Sequence, residues 1–175
     1  MPYHHLAVAT RDIQAIHAFY TGAMGFELVK VQLGKTPEGG WAKHFFYQTG
    51  AGELMAFWEI HDDALPADFP TGLSEAAGLP VWANHVAFRA DGPEDLEQKK
   101  QCWLKHGCDV IEIDHDWCYS IYTTDPNRTL VEFCITTRPF DATDREIAHQ
   151  ALTRDDLEFD PAATVTVHRA DETKR

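Results

Sequence analysis

Residues 113–133 read Ile113-Asp-His-Asp-Trp-Cys-Tyr-Ser-Ile-Tyr-Thr-Thr-Asp-Pro-Asn-Arg-Thr-Leu-Val-Glu-Phe133, and this stretch decides how the rest of the chain is organised. Two runs rich in β-branched and aromatic residues, 119–124 and 129–135, flank Asp125-Pro126-Asn127-Arg128, whose composition is that of a turn. A turn centred on Asn127 sets Tyr122 and Glu132 five residues to either side, and so directly opposite each other. Cross-strand partners share a face with Cβ atoms about 5 Å apart. A phenol and a carboxylate then leave one surface side by side, amid Ile121, Leu130, Val131 and Phe133. Burying such a pair without a partner is costly, which marks it as a candidate site.

Working outward, 175 residues suit one domain or two small modules sharing a core. Hydrophobic content of 44% and charged content of 25% are ordinary for a soluble globular protein. A net charge of −13 argues against nucleic acid or an anionic membrane as partner, because phosphate binding needs clustered Lys and Arg. No apolar run approaches the roughly 20 residues of a membrane helix. No charged-then-apolar leader opens the chain, so the expected location is cytoplasmic. Cys102, Cys108, Cys118 and Cys134 lack CxxC spacing and read as reduced core or strand residues. Ten histidines invite a search for metal ligands.

Periodicity predicts a strand over 3–10, with His5, Ala7 and Ala9 on one face and His4, Leu6 and Val8 on the other. A helix follows through about Met24, with Gly25 as its stop, then strands over 26–33, 41–49 and 54–60. The first module is therefore β-α-β-β-β, residues 1–62. Residues 63–81 are a Pro- and Gly-rich connector with a short helix near 74–77. The order then repeats over 82–138: a strand at 82–90, a helix at 93–106, and strands at 108–114, 119–124 and 129–135. His5-Leu-Ala-Val aligns with His85-Val-Ala-Phe, and Leu54-Met-Ala-Phe with Leu130-Val-Glu-Phe, which is evidence of a tandem repeat. Residues 139–175 carry an acidic helix at about 142–152 and a polar, loosely held end.

The spacing of His115, Ile121-Tyr122, Asp125-Pro126 and Glu132 resembles the signature of extradiol ring-cleavage dioxygenases. That family belongs to the vicinal oxygen chelate group, with the glyoxalases and the fosfomycin and bleomycin resistance proteins. One element departs: Arg128 stands where the pattern has Gly or Pro, and a left-handed turn would cost it about 1 kcal/mol. The repeat likewise resembles the paired modules of that group over about residues 3–137. The resemblance implies an α+β fold of two tandem βαβββ modules forming a cupped mixed sheet around a metal site.

In such a fold the first and last strands of each module face one cavity, at positions 5, 56, 85 and 132. They hold His, Ala, His and Glu. Two histidines and a carboxylate form the donor set that leaves coordination positions open in non-haem Fe(II) oxygenases. The expected ligands are His5, His85 and Glu132, and the cofactor is one divalent metal per chain, Fe(II) first, with Mn, Zn or Ni as alternatives. Glyoxalase-like relatives carry a carboxylate at the place of Ala56, whose methyl cannot coordinate. His4 is the rival to His5. His44 lines the cavity or faces water, while His17, His106, His149 and His168 are expected to be solvated. Trp41, Trp58, Trp82 and Phe46 belong to the core or the cavity wall. In the resembling enzymes the signature Tyr bonds a substrate oxygen and a nearby His moves protons. Those roles fall on Tyr122 and His115, and a His titrating near neutrality suits them.

The expected function is that of a metal-dependent extradiol-type dioxygenase cleaving a small aromatic diol or similar chelating substrate with O2. The alternatives are a divalent-metal isomerase or lyase of the glyoxalase type acting through an enediolate, and a metal-free small-molecule-binding protein. The expected partners are a small-molecule substrate and a second copy in a homodimer, with modules pairing within a chain or exchanged between chains.

Overall fold

A computed structural model describes residues 3–50, 52–156 and 158–171. The first module runs β1 (His5–Thr10), α1 (Ile13–Ala18), β2 (Glu27–Lys35), β3 (Trp41–Gln48) and β4 (Leu54–His61). Asp12 starts α1 by accepting the amide of Ala15, 2.9 Å away, so one of the unsatisfied first-turn donors is met. The helix widens into a π-helical turn over Phe19–Ala23, and Gly25 ends it at φ 73°, a left-handed angle that a Cβ would disfavour. A connector with the short α2 (Leu73–Ala76) leads to β5 (His85–Arg89), α3 (Pro93–Lys105), β6 (Val110–Asp114), β7 (Cys118–Thr124) and β8 (Leu130–Thr136). The strand and helix positions follow the expected order in both modules.

Each module forms its own mixed sheet, as an α+β fold of two tandem βαβββ modules requires. The first has strand order β1-β4-β3-β2, with β1 and β4 parallel. The second reads β5-β8-β7-β6 and gains a further edge strand, β9 (Thr164–His168), antiparallel to β6. That strand corrects the expectation of a loosely held end. His168 lies 2.9 Å from Glu112, and Asp109 accepts from Arg169 at 2.7 Å and from the amide of Ala170 at 2.9 Å. The acidic helix is α4 (Ala142–Ala151), begun by a reciprocal capping box between Asp141 and Asp144.

One hydrophobic core serves both modules. Ile16, Tyr20 and Phe26 from the first meet Val86, Phe88, Trp103 and Phe133 from the second, and Phe26 lies 5.0 Å from Phe88 between ring centroids. The residues of each sheet that enter this core are those facing its helices. Because side chains alternate along a strand, the opposite face of each sheet, carrying His5 in one and Glu132 in the other, turns away from the shared core.

The turn at residues 125–128 locks this arrangement. Tyr20 donates its hydroxyl to Asp125 at 3.0 Å, Thr10 donates to the side-chain oxygen of Asn127 at 2.8 Å, and Asn127 donates to the carbonyl of Ala9 at 3.1 Å. Asp125 also accepts the Thr129 amide at 2.8 Å. These groups are buried, so each bond also avoids the cost of an orphaned polar atom. Arg128 takes the left-handed angle itself, at φ 66°, so the departure from the signature leaves the turn's shape intact.

Candidate functional site

β7 and β8 pair in the expected register, with Tyr122 opposite Glu132. β5 lies on the other side of β8 and sets Ala87 beside Glu132. One face of the second sheet therefore gathers His85, Glu132 and Tyr122. Glu132 is only 4% exposed, and its Oε2 lies 3.3 Å from Nε2 of His85. The other ring nitrogen of His85, Nδ1, lies 3.3 Å from the carbonyl of Trp82. A carbonyl only accepts, so Nδ1 carries the proton in that bond, and neutral His85 turns a lone pair toward the carboxylate. Two acceptors facing each other need a positive charge between them, either a proton on Nε2 or a metal ion. Two donors bonded cis to one ion at about 2.1 Å stand roughly 3 Å apart. The observed separation fits, and the outward bond to a backbone carbonyl is the support that metal-bound histidines usually have.

Tyr122 is almost fully buried, and burial is the main reason its hydroxyl is held well above the ordinary phenol range. It stays protonated at neutral pH. His115 comes in from the β6–β7 corner, where Asp116 adopts φ 70°, and sets Nε2 at 2.9 Å from the Tyr122 oxygen. The Asp-rich corner is thus more than a solvated turn: it delivers an imidazole to the phenol.

His5 lies elsewhere. It sits on β1 in the first sheet, with its ring 6.0 Å from that of His44 and 5.6 Å from that of Phe46. Its Nδ1 is 2.8 Å from Nδ1 of His4, which leaves Nε2 as the atom available to a metal. Ala56 is fully buried beside Ala7 and Phe46 on the same face. Among the described residues no three His, Cys, Asp or Glu side chains converge to hold an ion within one chain. The set His5, His85 and Glu132 is accordingly split: two donors on one sheet, one on the other. The shared helical core lies behind both faces.

His44, left open by the sequence, lies on the His5 face. It is 5% exposed and stacks on Trp58, with ring centroids 3.7 Å apart at 13°. Burial first, and the neighbouring charge of His5 second, hold its imidazole below the usual range, so it is neutral at physiological pH. Its Nε2 is buried with no hydrogen-bond partner among the described residues. The alternation through Phe46, His44 and Ala42, opposite Ala56, Trp58 and Ile60, was the signal that places it there. His17 and His168 are bound rather than solvated: His17 lies 3.2 Å from the Tyr47 hydroxyl and His168 holds Glu112. All four cysteines are free thiols, as expected.

No helix among the described residues is long and apolar enough to cross a membrane. No curated protein matches the chain in sequence. Among solved structures, a glyoxylase/bleomycin resistance protein/dioxygenase domain from Frankia sp. EAN1pec is 15% identical, with a TM-score of 0.57 over 78% of this chain and 98% of that one. A putative glyoxalase family protein from Bacillus anthracis is 20% identical, with a TM-score of 0.51 over 78% and 96%. TnmS3, an antibiotic binding protein from Streptomyces sp. CB03234, is 15% identical, with a TM-score of 0.51 over 76% and 93%. At such identities the likeness is one of fold. The family model matches residues 3–133, three quarters of the chain and both repeats, and the chain belongs to the Glyoxalase/Bleomycin resistance protein/Dioxygenase superfamily.

Proposed function

We propose that this protein is a divalent-metal-dependent extradiol-type dioxygenase whose site is completed by a second copy of the chain. The observation that carries the reading is the constellation on the second sheet: Nε2 of His85 facing Oε2 of Glu132, with the Tyr122 hydroxyl bonded to His115 beside them. The third ligand is His5 of the partner subunit, because within one chain the His5 face and the Glu132 face both turn away from the common core. A symmetric dimer exchanging these faces builds two equivalent sites. Fe(II) suits two imidazoles and a carboxylate with open positions. Ala56, which cannot coordinate, favours this over a four-ligand glyoxalase-type site.

The ion supplies Lewis acidity toward two vicinal oxygens and the one-electron chemistry that O2 requires. The chain supplies the proton handling. Tyr122, protonated and buried, donates a directional hydrogen bond to a substrate oxygen. His115 fixes that hydroxyl from 2.9 Å away. His44, neutral and stacked on Trp58, walls the His5 face of the site.

The test is elemental analysis of protein purified without oxygen, followed by O2 uptake with a panel of catechols. About one iron per chain and catechol-dependent uptake support the proposal. Metal without uptake supports the isomerase or lyase reading instead. Absence of metal, with retained binding of small aromatic molecules, supports a metal-free small-molecule-binding role; TnmS3 is named an antibiotic binding protein.

A further inference from the structure

The tail beyond the family match does more than extend the second sheet. β9 fastens its far end to β6, while α4 and the segment 160–164 stand over the β6–β7 corner. Between them lies an open cavity of about 1050 Å³. Its apolar surface comes from Trp117, Phe140, Ile147, Ala148 and Pro161, and its lining includes His115, the residue whose Nε2 touches the Tyr122 hydroxyl. Trp117 and Phe140 pack with ring centroids 5.1 Å apart, and both stay substantially exposed, as does Ile147. Exposed large apolar side chains grouped along a cavity are the usual composition of a small-molecule site.

Charge narrows the ligand. Four carboxylates line the cavity (Asp114, Asp116, Asp144 and Asp160) against two guanidiniums. Arg138 is already spent, bonded to Asp116 at 2.9 Å and to both oxygens of Asp144 at 2.8 and 3.0 Å. Its clamp also ties the start of α4 to the β6–β7 corner and so holds the cavity open. The lining therefore disfavours an anion and accepts an uncharged hydrocarbon.

We infer that this tail-built cavity binds an uncharged aromatic or alkyl portion of the ligand, whose polar end reaches His115 and Tyr122. Resting on the proposed diol chemistry, this makes the substrate a diol with a neutral apolar substituent rather than a bare or carboxylated ring. Trp117, Phe140 and Ile147 become specificity residues, the last two lying beyond the matched family region.

The experiment has two arms on the full-length, metal-loaded protein held without O2. The first titrates N-phenyl-1-naphthylamine, a neutral fluorescent aromatic, into wild type, Phe140→Ala and Ile147→Glu. All three positions of interest are exposed, and thermal melts check that the variants fold. We expect saturable binding weakened at least tenfold in both variants. The second titrates catechol, 4-butylcatechol and 3,4-dihydroxybenzoate. We expect butylcatechol to bind at least tenfold tighter than catechol, dihydroxybenzoate no tighter, and Ile147→Glu to erase the preference. Failure of the naphthylamine to bind, or binding indifferent to both substitutions, overturns the inference, and so does equal affinity for catechol and butylcatechol. Naphthylamine binding of the expected kind with no diol binding supports the cavity and refutes the dioxygenase reading alone.

Discussion

Asp125 gives the sharpest test of how the two modules are joined. Its carboxyl is enclosed by the hairpin turn and the first helix, and burial, working against the bonds from Thr129 and Tyr20, raises its pKa from 3.8 to about 6. The folded state thus binds this proton more tightly than the unfolded chain. The associated stability is fully present below the unfolded value near 4, falls as pH rises through about 6, and is gone at pH 7. At 1.36 kcal/mol per unit, the shift is worth roughly 3 kcal/mol. Asp125→Asn keeps an acceptor for the Thr129 amide and removes the titration. Urea unfolding of both proteins at half-unit steps from pH 4 to 7 should show wild type losing up to about 3 kcal/mol relative to the variant across that window. A difference independent of pH would refute the reasoning. A difference of opposite sign would mean that the hydrogen bonds outweigh burial and hold the carboxyl ionised.

Asn127→Ala removes both side-chain bonds between the turn and β1 and takes away the acceptor of the buried Thr10 hydroxyl. We expect a loss of about 2–4 kcal/mol in urea unfolding, against well under 1 for Arg128→Ala on the exposed side of the same turn. Tyr122→Phe and His115→Ala should retain bound metal and slow ring cleavage by about 10²-fold, read by metal analysis together with O2 uptake; loss of metal in Tyr122→Phe would make the phenol a ligand.

Much of this was legible in the chain because the signals were local. The Asn127-centred turn fixed the pairing of Tyr122 with Glu132 by counting alone, and the same-face placement of His5 with Ala7 followed from the pleat. Which faces meet is not a local property. Period-2 alternation says that His5 and Ala56 share a surface, but the choice of core partner depends on Phe26 reaching Phe88 and Phe133 across the modules. That contact sets His5 and Glu132 on two faces that both turn from the core. The tail was misread against a visible signal, since Thr164-Val-Thr-Val-His168 alternates and is β-branched, as an edge strand should be. His44 was left undecided because a lone polar residue on a strand carries no mark of its face until its neighbours' pairing is known.

The central claim is that a metal is held by His85 and Glu132 of one chain together with His5 of the partner subunit. Chains carrying His5→Ala and chains carrying Glu132→Ala, each with its own tag, can be co-expressed and the mixed dimer isolated. Each homodimer has only broken sites, whereas the mixed dimer has one intact and one doubly broken. Metal analysis of the three species decides the matter. The account predicts about one ion per mixed dimer and none in either homodimer; a mixed dimer without metal, when wild type is loaded, would contradict it.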